Sequence, residues 1–358
     1  MGKIYSQKVM TKRTRGEDPD PISPRKKKRR KEPAETDISG FDRDKVESLQ
    51  DLIALAEHLK ATSKSRRRKT GVYRLINAIP ELKELESVIG LTNLKDEIAK
   101  QITFFLLDLN DSEFMHTALF GDPGMGKTTV IEILGRLYSK LEFLSSGHVV
   151  HAGRADLVDQ YLGGTALKTR SILELSRGGI LCLDEIYALG DSQQRDSFSA
   201  ECIHTINQFL SENSEDFICI IAGYEKQVKT NFFASNPGLE RRFPWVFRLK
   251  PFSLVELIDV FKFQVEKQGW NLEDDIDNDF LLKELFKEQN QFKSNGGDTS
   301  ILLDKAKVCH ARRVFLLPIN TRRKLTRDAL TNGYKMFLEY KNLHTTSIMT
   351  QNMMSMYC

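Results

Sequence analysis

Apolar residues recur along this chain in two rhythms, and the change from one to the other divides it. Between about residues 81 and 250, short apolar runs alternate with longer stretches whose apolar positions return every three or four residues. The runs at 117–120, 148–151, 180–183 and 217–222 predict strands, with a further one at 245–249. The stretches at 127–138, 165–176 and 196–210 predict helices; in the first, Val130, Ile131, Ile133, Leu134 and Leu137 supply a face to bury. Ile180-Leu181-Cys182-Leu183 has no polar position at all, which suits a strand covered on both faces. Alternation of this kind implies an α/β domain, a parallel sheet with helices on either side. After Pro251 the strand signal stops. Residues 253–267, 280–291, 299–314 and 325–340 carry helical spacing. A domain boundary near 250 follows, with a small all-helical domain over 251–341 and a polar, Met-rich flexible tail over 342–358.

Upstream the pattern thins. Residues 1–40 show no periodicity and hold Pro19, Pro21, Pro24 and Pro33, so the segment is expected to be a disordered extension. Residues 41–80 read as a helical and basic linker. Val46, Leu49, Ile53, Leu55 and Leu59 share one helical face, a basic run occupies 64–69, and Pro80 marks entry to a folded body starting near Glu81. The net charge is +4, but residues 1–40 hold twelve Lys/Arg against six Asp/Glu, so the remaining chain is slightly acidic. The basic block Pro24-Arg25-Lys26-Lys27-Lys28-Arg29-Arg30-Lys31 suits nuclear import or loose phosphate contact; a solubilising tail has the same composition. Met1-Gly2-Lys3-Ile4-Tyr5-Ser6 fits the myristoylation pattern, despite the bulky Tyr5, and the basic block would be the second membrane signal. Either feature points to a eukaryotic cell or a virus infecting one. No apolar run reaches the ~18 residues needed to cross a bilayer, and no N-terminal secretory core is present, so an intracellular protein in nucleus or cytoplasm is expected, with peripheral membrane contact if Gly2 is acylated. The five cysteines are scattered without a CxxC pair, which speaks against a zinc site or disulfide frame.

The chemistry sits between the first predicted strand and helix. Gly121-Asp122-Pro123-Gly124-Met125-Gly126-Lys127-Thr128, with Thr129 following, fits the Walker A pattern. A triphosphate needs backbone N–H groups and a cation around it. Glycines let the backbone approach, and the helix start offers free donors and a positive dipole end. Lys127 is placed to reach the β/γ phosphates and Thr128 to hold Mg²⁺. Downstream, four apolar residues lead into Asp184-Glu185, the Walker B form. Asp184 is the expected metal-side carboxylate, and Glu185 the group that polarises the attacking water.

With these motifs in hand, residues 81–340 resemble AAA+ ATPases of the group that includes red-type rubisco activase and stage V sporulation protein K. Asp156-Leu157-Val158-Asp159-Gln160-Tyr161-Leu162-Gly163 looks like that group's pore-loop segment, and Asn236-Pro237-Gly238-Leu239-Glu240-Arg241-Arg242-Phe243 resembles its arginine-finger segment. Ile89 and Gly90 resemble its adenine-side hinge. The resemblance implies a P-loop NTPase fold with a helical lid, ATP and Mg²⁺ as cofactors, and a homo-oligomeric ring, usually a hexamer. It also implies Arg242 as a finger for the neighbouring subunit's γ-phosphate, with Arg241 the adjacent candidate, and Tyr161, Leu162 and Gly163 gripping an extended polypeptide. Two departures stand out. Gly223 or Tyr224 occupies the sensor position after the fourth strand, and Gly297 stands where the lid often carries an arginine. Three functions remain open on these grounds: a protein-remodelling motor, a nucleic-acid motor or loader drawing on the basic tail, and a nucleotide-gated scaffold with slow turnover. No client is legible.

Overall fold

The computed structural model describes residues 46–62, 71–107, 114–161, 163–189, 196–212, 216–315 and 322–356. The expected disordered extension, the acylation pattern, the basic block, the basic run at 64–69 and Leu162 lie outside the described residues.

The apolar runs form a five-stranded parallel sheet in the order β2-β3-β4-β1-β5. Its strands are β1 (Thr117–Phe120), β2 (Val149–Ala152), β3 (Ile180–Asp184), β4 (Ile218–Gly223) and β5 (Trp245–Arg248). Alternate residues of each central strand go to opposite faces, and both faces are covered. Leu119, Ile180, Cys182, Ile218, Ile220 and Phe247 enter one buried core. Ala118, Phe120, Leu181, Leu183, Cys219 and Ile221 enter the other. The first core is closed by α1 (Leu49–Thr62), a 3₁₀ turn at Gly71–Ala78, α2 (Ile79–Ser87), α3 (Thr92–Leu106) and α4 (Lys127–Lys140). The second is closed largely by α6 (Gly164–Leu175) and α7 (Ser197–Glu212), with one-turn helices α5 (Arg154–Leu157), α8 (Glu225–Gln227) and α9 (Pro237–Glu240) in the connections.

The body begins earlier than the Glu81 start suggested by sequence. Leu49, Leu52, Leu59 and Leu75 are fully buried in the first core, so α1 and the 3₁₀ turn pack as part of it. Burying such leucines is worth about 1.5–3 kcal/mol each, enough to hold a helix that the basic run would otherwise leave as a linker.

Beyond β5 come α10 (Leu254–Lys267), α11 (Asn278–Glu284), α12 (Gly296–Val314) and α13 (Arg327–Met356). Ser253 starts α10 with a capping box: its hydroxyl accepts the Glu256 N–H, while its own N–H donates to the Glu256 carboxylate at 2.7 Å. Phe261, Phe286, Phe292 and Phe337 pack in series, with successive ring centroids 5.9, 4.7 and 5.4 Å apart. Three details differ from the sequence reading. A two-residue parallel pair, β6 (Asn271–Leu272) with β7 (Lys324–Leu325), stands in the region expected to lack strands, because two residues carry no periodicity. The helix expected over 280–291 stops at Glu284, where Leu285 and Phe286 turn into the core. The last helix runs to Met356 through the expected flexible tail, since no Gly or Pro interrupts 334–356.

Candidate functional site

The register of the sheet puts the two motifs side by side. Phe120 pairs with Gly223 on β4, and Asp184 at the end of β3 pairs with Ala222. The loop after β1 and the carboxylates after β3 therefore leave the same edge, two strand spacings or roughly 10 Å apart. This is the carboxyl end of a parallel sheet, where such folds hold ligands. A cleft of about 810 Å³ opens there. It is lined by Pro123, Gly124, Met125, Gly126, Lys127, Thr128 and Thr129, by Asp184 and Glu185, and by Ile89 from the α2–α3 connection.

The loop is built to leave room. Gly126 has φ +79°, and nothing lies within 4 Å of the point where a Cβ would sit. Gly124 has φ +72°, and a Cβ there would stand 2.2 Å from the Ser294 carbonyl oxygen and 2.5 Å from the Gly297 nitrogen. The first glycine thus faces open space and the second the helical domain. Lys127 begins α4 and donates from Nζ to the Gly121 and Asp122 carbonyls, each at 2.8 Å. Burial holds its pKa below the usual lysine value, against the pull of Asp184, Asp122 and Glu185. Among the described residues no carboxylate lies within ion-pair distance of it. A desolvated ammonium in an open glycine cradle at a helix start is matched to a phosphate. Across the cleft Asp184 and Glu185 are exposed, and the Glu185 N–H donates to the Asp184 carboxylate at 3.0 Å. Asp184 with the Thr128 hydroxyl could hold Mg²⁺, whose preference is for oxygen ligands.

The other singled-out residues lie around this centre. Gly121 packs on Leu249, and Asp122 offers its carbonyl to Lys127. Gly90, with φ +64°, packs beside Glu256 and Phe252. Gly297 lines the cleft. Its neighbour Gly296 donates its N–H to the Gly124 carbonyl at 3.0 Å, so α12 starts in backbone contact with the phosphate loop. Arg242 is away from the cleft; it donates to the Gly238 carbonyl at 2.6 Å and to the Ser211 hydroxyl. Arg241 is exposed. Tyr161 is 70% exposed, and Gly163 is exposed just before α6. His116, directly before β1, is buried among Phe114, Phe217 and Phe243, and its Nδ1 accepts the Cys219 N–H at 3.1 Å. Burial, helped by the Arg242 charge, pushes its pKa down to about 3.

Several cleft residues escaped the sequence reading. Val260, Phe263 and Gln264 line it from α10, where helical spacing alone gives no sign of a ligand. Tyr187 lines it from the turn after Glu185; its place two residues beyond the acidic pair was the available signal.

A glycine cradle at a helix start, faced across the sheet by two carboxylates, defines a P-loop nucleotide-binding protein. A family model described as "ATPase family associated with various cellular activities (AAA)" matches residues 117–236. Stage V sporulation protein K of Bacillus subtilis (strain 168) is 30% identical over 274 residues, covering 74% of this chain and 83% of that protein. The putative cfxQ-like protein R730 of Acanthamoeba polyphaga mimivirus is 37% identical over 270 residues, covering 75% of this chain and 66% of its own length. The solved FIGL-1 AAA domain in complex with ADP shares the fold, with a TM-score of 0.52 at 17% identity over 70% of this chain and 83% of that one. The chain belongs to the AAA ATPase family, in the group of stage V sporulation protein K and rubisco activase that its motifs resemble. Among the described residues no helix is long and apolar enough to cross a membrane.

Proposed function

We propose that this chain binds ATP with Mg²⁺, hydrolyses it, and as a ring of copies couples hydrolysis to remodelling a protein client. The observation that carries the reading is the single cleft in which the Gly124–Gly126 cradle, Lys127 and the Asp184-Glu185 pair face one another. Lys127 would meet the β/γ phosphates, Thr128 and Asp184 would hold the metal, and Glu185 would take the proton of the attacking water. Bound Mg²⁺ would supply charge neutralisation on the phosphate oxygens. Arg242 lies outside its own cleft, as a finger reaching a neighbour's site would. Tyr161, 70% exposed, is offered to a polypeptide rather than to the core.

Glu185→Gln tests the enzyme: ATP binding should persist and phosphate release stop. Tyr161→Ala tests the motor: ATPase activity should persist and client remodelling stop, and equal loss of both would make Tyr161 structural. The scaffold reading is favoured by one observation, Gly297 in the cleft where a lid arginine would stand. Wild-type protein that binds ATP yet releases no phosphate, with or without partners, would select it.

A further inference from the structure

Arg154, outside the cleft, ties three segments together. It opens α5, just after β2. Its Nη1 donates to the Ala188 carbonyl at 3.1 Å and to the Ser199 hydroxyl, and its Nη2 to the Asp196 carboxylate at 2.6 Å. Ala188 lies in the turn after the acidic pair, and its own N–H donates to the Glu185 carbonyl at 3.0 Å. Asp196 starts α7: its carboxylate accepts the Phe198 and Ser199 N–H groups at 3.1 and 3.2 Å and the Ser199 hydroxyl at 2.6 Å. Ser199 is buried, and the Arg154 and Asp196 side chains are half-buried. Hydrogen bonds from Ser199, then Arg154, hold the Asp196 pKa down to about 2 against the cost of burial, so the ion pair is kept at neutral pH. On its other side α5 is fastened to α6. Lys168 donates to the Ala155 and Val158 carbonyls at 2.7 and 3.0 Å, and the Thr169 hydroxyl to the Leu157 carbonyl at 2.9 Å. The Thr165 hydroxyl accepts the Asp159 N–H at 3.1 Å, and the Asp159 carboxylate accepts the Tyr161 N–H at 3.3 Å. The segment from Arg154 to Tyr161 is thus a braced arm with the guanidinium at its root.

We propose that Arg154 is a positioning residue that passes the state of the nucleotide site to the arm ending at Tyr161. The inference rests on the reading of the cleft as the ATP site; it does not require Tyr161 to grip a polypeptide. Metal and triphosphate beside Asp184 and Glu185 change the charge at the head of the turn that follows them. Two hydrogen bonds, Ala188 to Glu185 and Arg154 to Ala188, lead from that turn to the root of the arm. The start of α7 is the fixed point, because Asp196 both caps that helix and holds the same guanidinium. A shift of the turn therefore acts on the arm and not on α7. Arginine suits the task because its planar fork serves several oxygen acceptors in fixed directions, which a lysine ammonium does not.

The test uses the full-length chain as wild type, Arg154→Lys and Asp196→Asn, with Mg²⁺ and a non-hydrolysable ATP analogue. Calorimetry gives analogue affinity, and amide hydrogen exchange is followed in two segments, 121–129 and 155–161. In wild type the analogue should alter exchange in both. The two variants should bind it with wild-type affinity and still protect 121–129, since neither residue touches the cradle. Their nucleotide-dependent change at 155–161 should shrink at least about fivefold, the low end of coupling between sites. Without nucleotide 155–161 should stay protected in the variants, because the α6 contacts remain. A change at 155–161 that survives in both variants overturns the proposal. So does a wild type in which only 121–129 responds, which leaves ATP binding standing. A segment 155–161 that exchanges freely in the variants with or without nucleotide makes Arg154 a residue of the fold alone, and also overturns it. Wild type that neither binds the analogue nor protects 121–129 removes the ATP site, and the inference with it.

Discussion

Two glycines two residues apart should fail in opposite ways when each is given a methyl group. At Gly124 the added Cβ would meet the Ser294 carbonyl oxygen at 2.2 Å and the Gly297 nitrogen at 2.5 Å, both backbone atoms that no rotamer change can move. The positive φ adds about 1–2 kcal/mol for an L-residue, and forcing the two segments apart about 1–3 kcal/mol. Gly124→Ala should therefore lose about 2–5 kcal/mol, a fall in melting temperature of roughly 5–15 °C in the nucleotide-free protein. At Gly126 only the φ term applies, because nothing lies within 4 Å of the new Cβ. That space is where a phosphate would sit, so Gly126→Ala should melt within ~5 °C of wild type yet bind ATP at least ~100-fold more weakly. Thermal unfolding of the nucleotide-free proteins and calorimetric titration with Mg-ATP give both numbers. Gly124→Ala melting like wild type would refute the contact between α12 and the phosphate loop. Gly126→Ala with full affinity would refute the cradle.

Arg242→Ala should lower kcat by about 10³ while leaving ATP affinity near wild type, and mixing it with Glu185→Gln should restore part of the activity if the finger acts on the neighbouring subunit. Gly297→Arg should raise ATP affinity, since a Cβ there meets only the Ser294 Cβ at 3.6 Å and the side chain would enter the cleft; calorimetry reads the gain. His116 makes stability depend on pH. Its folded pKa of about 3 lies below the usual 6.5, so below pH 6.5 the unfolded chain takes up a proton that the folded chain refuses. Stability should fall as pH drops from 6.5 toward 3, by about 2 kcal/mol at pH 5, and denaturant melts of His116→Leu should lack this part of the slope.

Much of the fold was legible because buried parallel strands leave unbroken apolar runs, and all five predicted strands of the large sheet sit within one residue of their observed ends. Walker A and Walker B were legible because their chemistry is local in sequence. What was not legible depends on contacts between distant segments. Leu49 and Leu59 looked like a linker helix until the first core closed over them. The lid side of the cleft is made by Val260, Phe263 and Gln264, ordinary positions on an amphipathic helix. Gly297 was noticed as a missing arginine, but Gly296 matters as much: its N–H reaches the Gly124 carbonyl across 172 residues of chain, and no spacing rule connects those two positions. Tyr187 carries no motif, and only the fold brings it into the lining of the cleft that also holds Glu185.

Calorimetric titration of ATP with and without Mg²⁺, on wild type, Lys127→Ala and Asp184→Asn, probes most directly whether the loop after β1 and the acid after β3 act on one ligand. Wild type should bind one ATP per chain, more tightly with Mg²⁺; Lys127→Ala should show no binding, and Asp184→Asn should bind equally with and without the metal. Binding that ignores Lys127, or a metal effect that survives in Asp184→Asn, would contradict the account.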